Sequence, residues 1–558
     1  MKRIVSLAIL LCLFIAMLTL AFNIQPVKAE PKTWYVDDGG GADFTKIQDA
    51  INAASPGDII YVYNGTYYEH IYISKSLSLI GENKHATIID GSGYGYAVTV
   101  FYTQGVKFTR FTICNAEIGI DISQSSNNTI VDNIVTNSTL GGPYWGGGIY
   151  LDYSSNNTVA GNIILNTTEV GIWLNSRNNT VVDNTISGAV EPVPSSCGGI
   201  HLEDGSHDNT ICGNIISKRA YGIYLAFWSD TNTIVGNTIL NLSYNVPYGI
   251  IVWSSNNWII GNTIMNVDYT GIRLNSPEGY PNRCINNVVS GNVISYCNDG
   301  IAVSFESSFN TVTANNASNN NIGITICNHS NNNTLIGNIL TNNGLGISLW
   351  GFSENNTMEG NVITSNSYGV DILDSSNTKL SNNNVTANTY SDIYIHSSAG
   401  NTIFGNLISN SQNGLMFLYS SDNNVYHNNF VNNTEQVYSY DSVNVWDYGY
   451  PSGGNYWSDY NGTDANGDGI GDTPYVIDAS NQDNYPLMKP YPHFAWDVNG
   501  DGCVGIDDIY VASQAFGSIP EHPRWNPKAD INEDDYVGID DIFAIASHFG
   551  QENPFLSV

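Results

Sequence analysis

Gly346-Ile347-Ser348-Leu349-Trp350-Gly351-Phe352-Ser353-Glu354-Asn355-Asn356-Thr357-Met358-Glu359-Gly360-Asn361 is one copy of a unit that recurs from about residue 119 to residue 430. Its general form is G-I-x-L-x-x-S-x-N-N-T-I-x-G-N-x-I. Gly171-Ile172-Trp173-Leu174 with Asn179-Thr180-Val181-Val182-Asp183-Asn184 is a second copy. Aligning the units on Val288, Thr311, Thr334, Thr357, Lys379, Thr402 and Val425 gives steps of 22 or 23 residues. Earlier units at Thr129, Thr158, Thr180, Thr210, Thr233 and Trp258 follow the same step, stretched to 29 or 30 where loops are inserted. Apolar residues alternate within each half, as in Ile347 and Leu349, which marks a short strand with one buried face. One unit cannot bury that face alone. Stacked units can, each pairing its strands in parallel with the coil below. The spacing predicts an all-β, parallel β-helix solenoid. A leucine-rich repeat would need a helix per unit, and none is seen. Asparagine recurs at the turns, where it tolerates left-handed geometry and can form side-chain ladders between coils.

The repeat resembles the NosD-type and pectin-lyase-like right-handed β-helix families, whose coils carry the same N-N-T-I-x-G-N-x-I signature. The block from Asp43-Phe44-Thr45-Lys46-Ile47 through Pro56-Gly57-Asp58 and Gly65-Thr66-Tyr67 to Leu77-Ser78-Leu79-Ile80-Gly81 is similar to the opening of these helices. There the resemblance implies a short helix, Ile47 to Ala54, over the open end of the apolar column. The likeness covers roughly residues 33 to 490. It speaks for fold more than activity, because one fold hosts many functions.

Residues 497–508 read Asp-Val-Asn-Gly-Asp-Gly-Cys-Val-Gly-Ile-Asp-Asp. A 12-residue calcium loop takes oxygens from positions 1, 3, 5, 7 and 12, here Asp497, Asn499, Asp501, the Cys503 carbonyl and Asp508. Residues 530–541 repeat the pattern with Asp530, Asn532, Asp534, the Tyr536 carbonyl and Asp541. Asp535 replaces the glycine expected at the sharp turn, at a cost in left-handed strain. One helical run follows each loop and closes on Gly517 or Gly550. A duplicated loop-plus-helix ending in Asp at position 12 resembles the type I dockerin. That resemblance implies calcium-dependent folding and a cohesin-like domain of a scaffolding protein as partner, contacted by Ile506, Asp507, Ile539 and Asp540. The Ile-Asp pairs depart from the hydroxyl-rich pairs of many dockerins. The alternative is a calcium-stabilised tail without such a partner. A third loop offers Asp464, Asn466, Asp468, the Ile470 carbonyl and Asp472, and reads as a structural calcium site in the C-terminal cap.

Met1-Lys2-Arg3, an apolar run from Ile4 to Phe22 and Val27-Lys28-Ala29 make a secretory signal; an uncleaved membrane anchor is the alternative. No later run is as long. The expected organisation is a signal at 1–29, an N-terminal cap and first coils at 30–118, repeats at 119–435, a C-terminal cap at 436–494, the dockerin-like domain at 495–551 and a tail at 552–558. The chain carries 18 basic and 51 acidic residues. Cleavage after Ala29 removes Lys2, Arg3 and Lys28 and no acid, leaving a net charge of −36 in place of −33. That charge and the lack of a basic stripe exclude nucleic acid as a partner. Cys197 with Cys212, and Cys284 with Cys297, are spaced for local disulfides; buried free thiols are the alternative. Sequons at Asn64, Asn137, Asn166, Asn241, Asn384 and Asn461 are open to glycosylation. Asparagines inside N-N-T read as turn residues.

With the coils in register on G-I-x-L, one outward column reads Asp121, Tyr150, Trp173, His201, Tyr224, Ile251, Arg273, and the next Ser123, Asp152, Asn175, Glu203, Ala226, Trp253, Asn275. Coils lie ~4.8 Å apart, close to the rise of one sugar in an extended glycan. Tyr150, Trp173, Tyr224 and Trp253 are therefore candidate carbohydrate-stacking residues, with loops 140–148, 188–198 and 243–248 as groove walls. Asp152 and Glu203 lie two coils apart, ~9.6 Å along the axis, near the separation of an inverting glycosidase pair. His201 beside them is a candidate base or ligand. The Asn-Thr-Asp acids of polygalacturonases and the basic cluster of pectate lyases are missing. The expected function is a secreted or cell-surface polysaccharide-binding protein, with a glycoside hydrolase or polysaccharide lyase activity if the acids are catalytic, tethered through its tail. Two alternatives stand beside it: a NosD-like periplasmic accessory for copper delivery, against which the scattered histidines and methionines count, and a structural or adhesive rod.

Overall fold

The computed structural model describes residues 30–549, except 139–146, 189–196, 244–245, 277–283, 492–495, 497, 499–503, 521 and 533. The signal segment and Asp497, Asn499, Asp501 and Cys503 of the first calcium loop lie outside the described residues.

Seventeen strands, from Thr33–Val36 to Asn424–Tyr426, stack in parallel register as one face of a right-handed β-helix of about as many coils. The remaining coil strands form a second sheet of two parallel ladders, joined through the long strands Thr263–Asn275 and Val293–Ser304. Each three-residue strand of the first face buries its middle residue. Ile130, Val159, Val181, Ile211, Ile234, Ile259 and Val289 make one such column, all at 0 % exposure. The pairing Thr402↔Asn424 puts Asn424, not Val425, in the outward column. Val425 lies inside above Ile403, so the expected alignment slips there by one residue; with a period of two, that slip exchanges faces.

The repeat's signature residues each have a physical cause. The first Asn of N-N-T takes the left-handed turn, as at Asn156 (φ 59°) and Asn178 (φ 58°). The second is buried in a ladder: Asn157 donates from Nδ2 to Asn179 Oδ1, and Asn209 to Asn232 Oδ1. The Asn of G-N-x-I builds a second ladder from Asn133 through Asn237 and Asn262 to Asn455, each amide also accepting a backbone N–H from the coil before. The Gly of G-I-x-L is a contact requirement: a Cβ at Gly222 would stand 2.4 Å from the Gly249 carbonyl oxygen of the next coil.

The ends are closed from both sides. A helix, Ile47–Ala53, covers the N-terminal opening with Ile47, Ala50 and Ile51 buried, and the Glu69 carboxylate accepts its first N–H groups from Ile47 and Gln48. This is the expected cap, one residue shorter. At the other end Trp446 and Trp457 fill the column, Trp457 stacking on Phe430 and Tyr475. Asn481 and Asp483 stand where the next coil's ladder asparagines would, accepting from Asn444 and Asn455. Burial pushes the Asp483 carboxyl up to about 6.

Cys114, Cys197, Cys212, Cys284, Cys297 and Cys327 are free. The two local disulfides expected from spacing do not form. Cys284 and Cys297 are core residues on different sides of a coil, while Cys197 accepts from buried Arg219 and Cys212 sits half-buried on the first face.

Beyond residue 503, the helices Ile506–Ala515 and Ile539–Ser547 pack together around a separate small core of Val504, Ala512, Ala515, Val537 and Ile545. No helix among the described residues is long and apolar enough to cross a membrane.

Candidate functional site

One ladder of the second sheet, from Ile118–Ser123 to Thr263–Asn275, reproduces the outward column expected from sequence. Asp121 pairs with Tyr150, Tyr150 with Trp173, Trp173 with His201, His201 with Tyr224, Tyr224 with Ile251, and Ile251 with Arg273. In the neighbouring column Ser123 pairs with Asp152 and Asp152 with Asn175. On this face two separate hollows open, with the His201–Tyr224 ridge between them.

The first hollow, of about 550 Å³, is lined by Tyr96, Glu117, Asp121, Tyr150, Asp152, Trp173 and Glu203, among others. Both acids singled out from sequence therefore reach one cavity. Asp152 accepts from Asn175 Nδ2 at 2.7 Å, and Glu203 accepts from Trp173 Nε1 at 3.1 Å. Trp173 thus stands between the two acids, with Tyr150 tilted against it at 5.2 Å. Tyr150 is 7 % exposed and its hydroxyl is buried without a partner. It is wall more than platform. Its ring lies over the backbone at Gly147, where a Cβ would meet it at 2.1 Å.

His201 does not fit the role of base. It is not among the residues lining the hollow. Its Nδ1 lies 3.0 Å from the Tyr221 hydroxyl, its Nε2 is 3.4 Å from Glu203, and Tyr224 packs edge-on against it at 4.7 Å. Burial lowers its pKa to about 4, so the ring is neutral at pH 7 and poorly basic. Its Nε2 makes no hydrogen bond, so the ring packs beside Glu203 as a neutral neighbour. The perturbed acid is one that sequence reasoning placed in the column but did not mark: Asp121. Burial first, and the nearby Asp152 charge, raise its carboxyl to about 6, although the Ser123 hydroxyl donates to it at 2.7 Å. An acid that holds its proton to about pH 6 beside Asp152 is an arrangement general acid–base chemistry uses. The missed signal was its position at the bottom of an aromatic column, one coil below Tyr150.

The second hollow, about 450 Å³, is lined by Phe227, Tyr248, Ile251, Trp253, Arg273, Asn275, Ser276 and Phe305. Trp253 belongs here, stacked on Phe227 at 5.3 Å, and not with Trp173. Tyr224 touches both sides, meeting Trp253 edge-on at 5.1 Å. Most of loops 140–148 and 188–198 lies outside the described residues, as do residues 244–245 of loop 243–248.

In the loop at 530–541, Asp530 accepts from the N–H groups of Asp534 and Asp535, Asn532 from Asp534, Asp534 from Tyr536, and Asp541 from Ile531, Asn532 and Gly538. Asp535 takes the left-handed turn at φ 62°. The cap loop repeats this pattern: Asp464 accepts from Asp468 and Gly469, Asn466 from Asp468, and Asp468 from Ile470, with Asp472 accepting from Ala465. Asp508 of the first loop accepts from Gly505. Among the described residues no three His, Cys, Asp or Glu side chains are grouped to hold a metal ion. His201 and His207 share no partner, and Met358 is core.

Comparison with known proteins adds the family. A cell surface glycoprotein of Methanothermus fervidus is 32% identical over 107 residues, 19% of this chain and 18% of that protein; the chain thus spans under a fifth of the curated relative it matches. Among solved structures, an alginate lyase from Paenibacillus sp. str. FPU-7 is 15% identical at a TM-score of 0.37, covering 51% of this chain and 94% of that one. The catalytic domain of a GH87 alpha-1,3-glucanase is 16% identical at a TM-score of 0.42, covering 64% and 70%. At these TM-scores the likenesses say nothing of substrate or chemistry. Four overlapping stretches, residues 51–249, 193–308, 241–361 and 282–462, match the family model described as periplasmic copper-binding protein (NosD). Together they run through well over half of the chain, and the protein belongs to the NosD family.

Proposed function

We propose that the protein is a secreted or cell-surface β-helix that binds a polysaccharide along the face carrying Trp173 and Tyr224, with hydrolysis of that glycan as the chemistry its acids support. The observation that carries this reading is the first hollow, where a partly exposed tryptophan stands between two carboxylates on a ladder whose pitch matches a sugar repeat of ~5 Å. In this reading Asp121 donates a proton to the glycosidic oxygen, Asp152 activates water, and Glu203 is fixed by the Trp173 indole N–H to hold a sugar hydroxyl.

Calcium is the metal we propose for the tail and the cap. Asp530, Asn532, Asp534, the Tyr536 carbonyl and Asp541 would hold one ion; Asp464, Asn466, Asp468, the Ile470 carbonyl and Asp472 another; Asp497, Asn499, Asp501, the Cys503 carbonyl and Asp508 the third. The donor chemistry is all hard oxygen, which suits calcium. The dockerin-like tail would then tether the chain to a cohesin-like domain. Copper handling finds less support in this chain, because His201 and His207 share no partner and Met358 is core.

The test presents the chain, with calcium, to a panel of neutral and acidic polysaccharides and scores retention and new reducing ends. Product that disappears in Asp152→Asn supports hydrolysis. Retention without product reduces the proposal to a binding protein. Neither signal leaves an adhesive rod as the better account.

A further inference from the structure

The second hollow contrasts with the first. Where the first is walled by four carboxylates, the second has none among the described residues and holds a guanidinium. Arg273 has five N–H donors. Nη1 donates to the Tyr248 hydroxyl at 3.1 Å and Nη2 to Asn275 Oδ1 at 3.2 Å. Nη1 and Nη2 each carry a second N–H beyond these bonds, while the Nε–H and the Trp253 indole N–H are buried without a partner behind the lining. Tyr248 and Phe305 each set a ring about 5.5 Å from the guanidinium carbon, which holds the charge in place without neutralising it. Among the described residues Arg273 makes no ion pair, Asp299 acting on it only at longer range. In a chain of net charge −33, this is a pocket whose described lining holds a cation and no acid.

We infer that the second hollow is a subsite for a single anionic group, a uronate carboxylate or a sulfate ester, on an otherwise neutral glycan. The inference rests on the glycan-binding reading above and sharpens its substrate class. The guanidinium Nη–H donors suit a planar or tetrahedral oxyanion, while the aromatic walls take the sugar ring that carries it. The acids of the first hollow repel a polyanion, so charge on every sugar is disfavoured. Register fixes the spacing: Arg273 lies five coils above Asp152, about 24 Å, or roughly five sugars of a chain laid along the axis.

The experiment compares matched glycans: glucuronoxylan against its carboxyl-reduced form, and a lightly sulfated galactan against its desulfated form. Affinity electrophoresis of the full chain is the readout. At least one native glycan is expected to be retained tenfold or more tightly than its neutralised partner, which also tells carboxylate from sulfate. Arg273→Gln should erase that preference while leaving binding of the neutralised form within twofold, and Tyr248→Phe should weaken it without abolishing it. Melting of both variants near the wild-type temperature ensures that the loss is local. Equal retention of native and neutralised forms, or a preference that survives Arg273→Gln, overturns the inference and leaves the glycan reading standing. Tighter retention of polygalacturonate than of any sparsely charged glycan overturns the single-anion claim. No retention of any form overturns both.

Discussion

Asn237→Ala removes one rung from the middle of an uninterrupted ladder, and its cost follows from the partners left behind. Asn237 is fully buried. Its Oδ1 accepts both the backbone N–H and the Nδ2–H of Asn214 at 2.9 Å, and its own Nδ2 donates to the Ile211 carbonyl and to Asn262 Oδ1. Alanine leaves the buried Asn214 backbone N–H without an acceptor and the Ile211 carbonyl without this donor, two polar groups in all, while Asn214 Nδ2 keeps the Val181 and Cys212 carbonyls. An orphaned buried polar group costs about 1–3 kcal/mol, so the expected loss is about 4 kcal/mol. A solenoid of this length responds locally, because each coil touches only its neighbours. Native-state hydrogen exchange is the assay. Opening free energies should fall by about 4 kcal/mol in the coils of Asn214, Asn237 and Asn262 and stay unchanged beyond Asn338. Thr238→Ala, the next residue but on the half-exposed face, should cost below about 1 kcal/mol. A loss under about 1 kcal/mol for Asn237→Ala, or one spread evenly over all coils, would refute the reasoning.

Three further outcomes are expected. Asp121 has its folded pKa raised to about 6 from 3.8, so native protein binds a proton that unfolded chain has lost, and this group's contribution to stability falls as pH rises from about 4 to 6. Asp121→Asn lacks that fall; its advantage over wild type in thermal melting should grow across this window to about 2–3 kcal/mol at pH 7, and a pH-independent difference would contradict the burial argument. Calcium chelation should abolish the helical melting transition of the tail while leaving the β-helix transition in place, since the two have separate cores; calorimetry showing both lost together would contradict this. Gly222→Ala should lower β-helix stability or solubility sharply, because its Cβ collides with the Gly249 carbonyl; unchanged melting would mean the coils can spread at little cost.

Much of this was legible in the sequence, for a physical reason. A repeat copies the same local decision in every coil, so the alternation that buries Ile172 and Leu174 also assigns Tyr150, Trp173 and His201 to the outside, and the register followed from counting. The ladder asparagines and the left-handed turn at Asp535 were readable because residue type and backbone conformation are tightly linked there. Features that depend on which side chains meet across coils were not. Tyr221, Tyr96 and Glu117 sit just outside the G-I-x-L positions, yet they respectively hold His201 and line the first hollow. The depth of Asp121, the neutrality of His201 and the separation of Trp253 from Trp173 all depend on neighbours that come from different coils. Cysteine spacing misled because residues 13 or 15 apart in the chain stand on different sides of a coil.

The central claim is that Trp173 and its flanking acids form a glycan-binding surface, and affinity electrophoresis of wild type and Trp173→Ala across a polysaccharide panel tests it most directly. The indole both offers the stacking face and holds Glu203 through its N–H, so retention by at least one glycan should drop tenfold or more with the β-helix melting temperature unchanged. A wild-type chain that no glycan retains, or retention that Trp173→Ala leaves intact, would contradict the account.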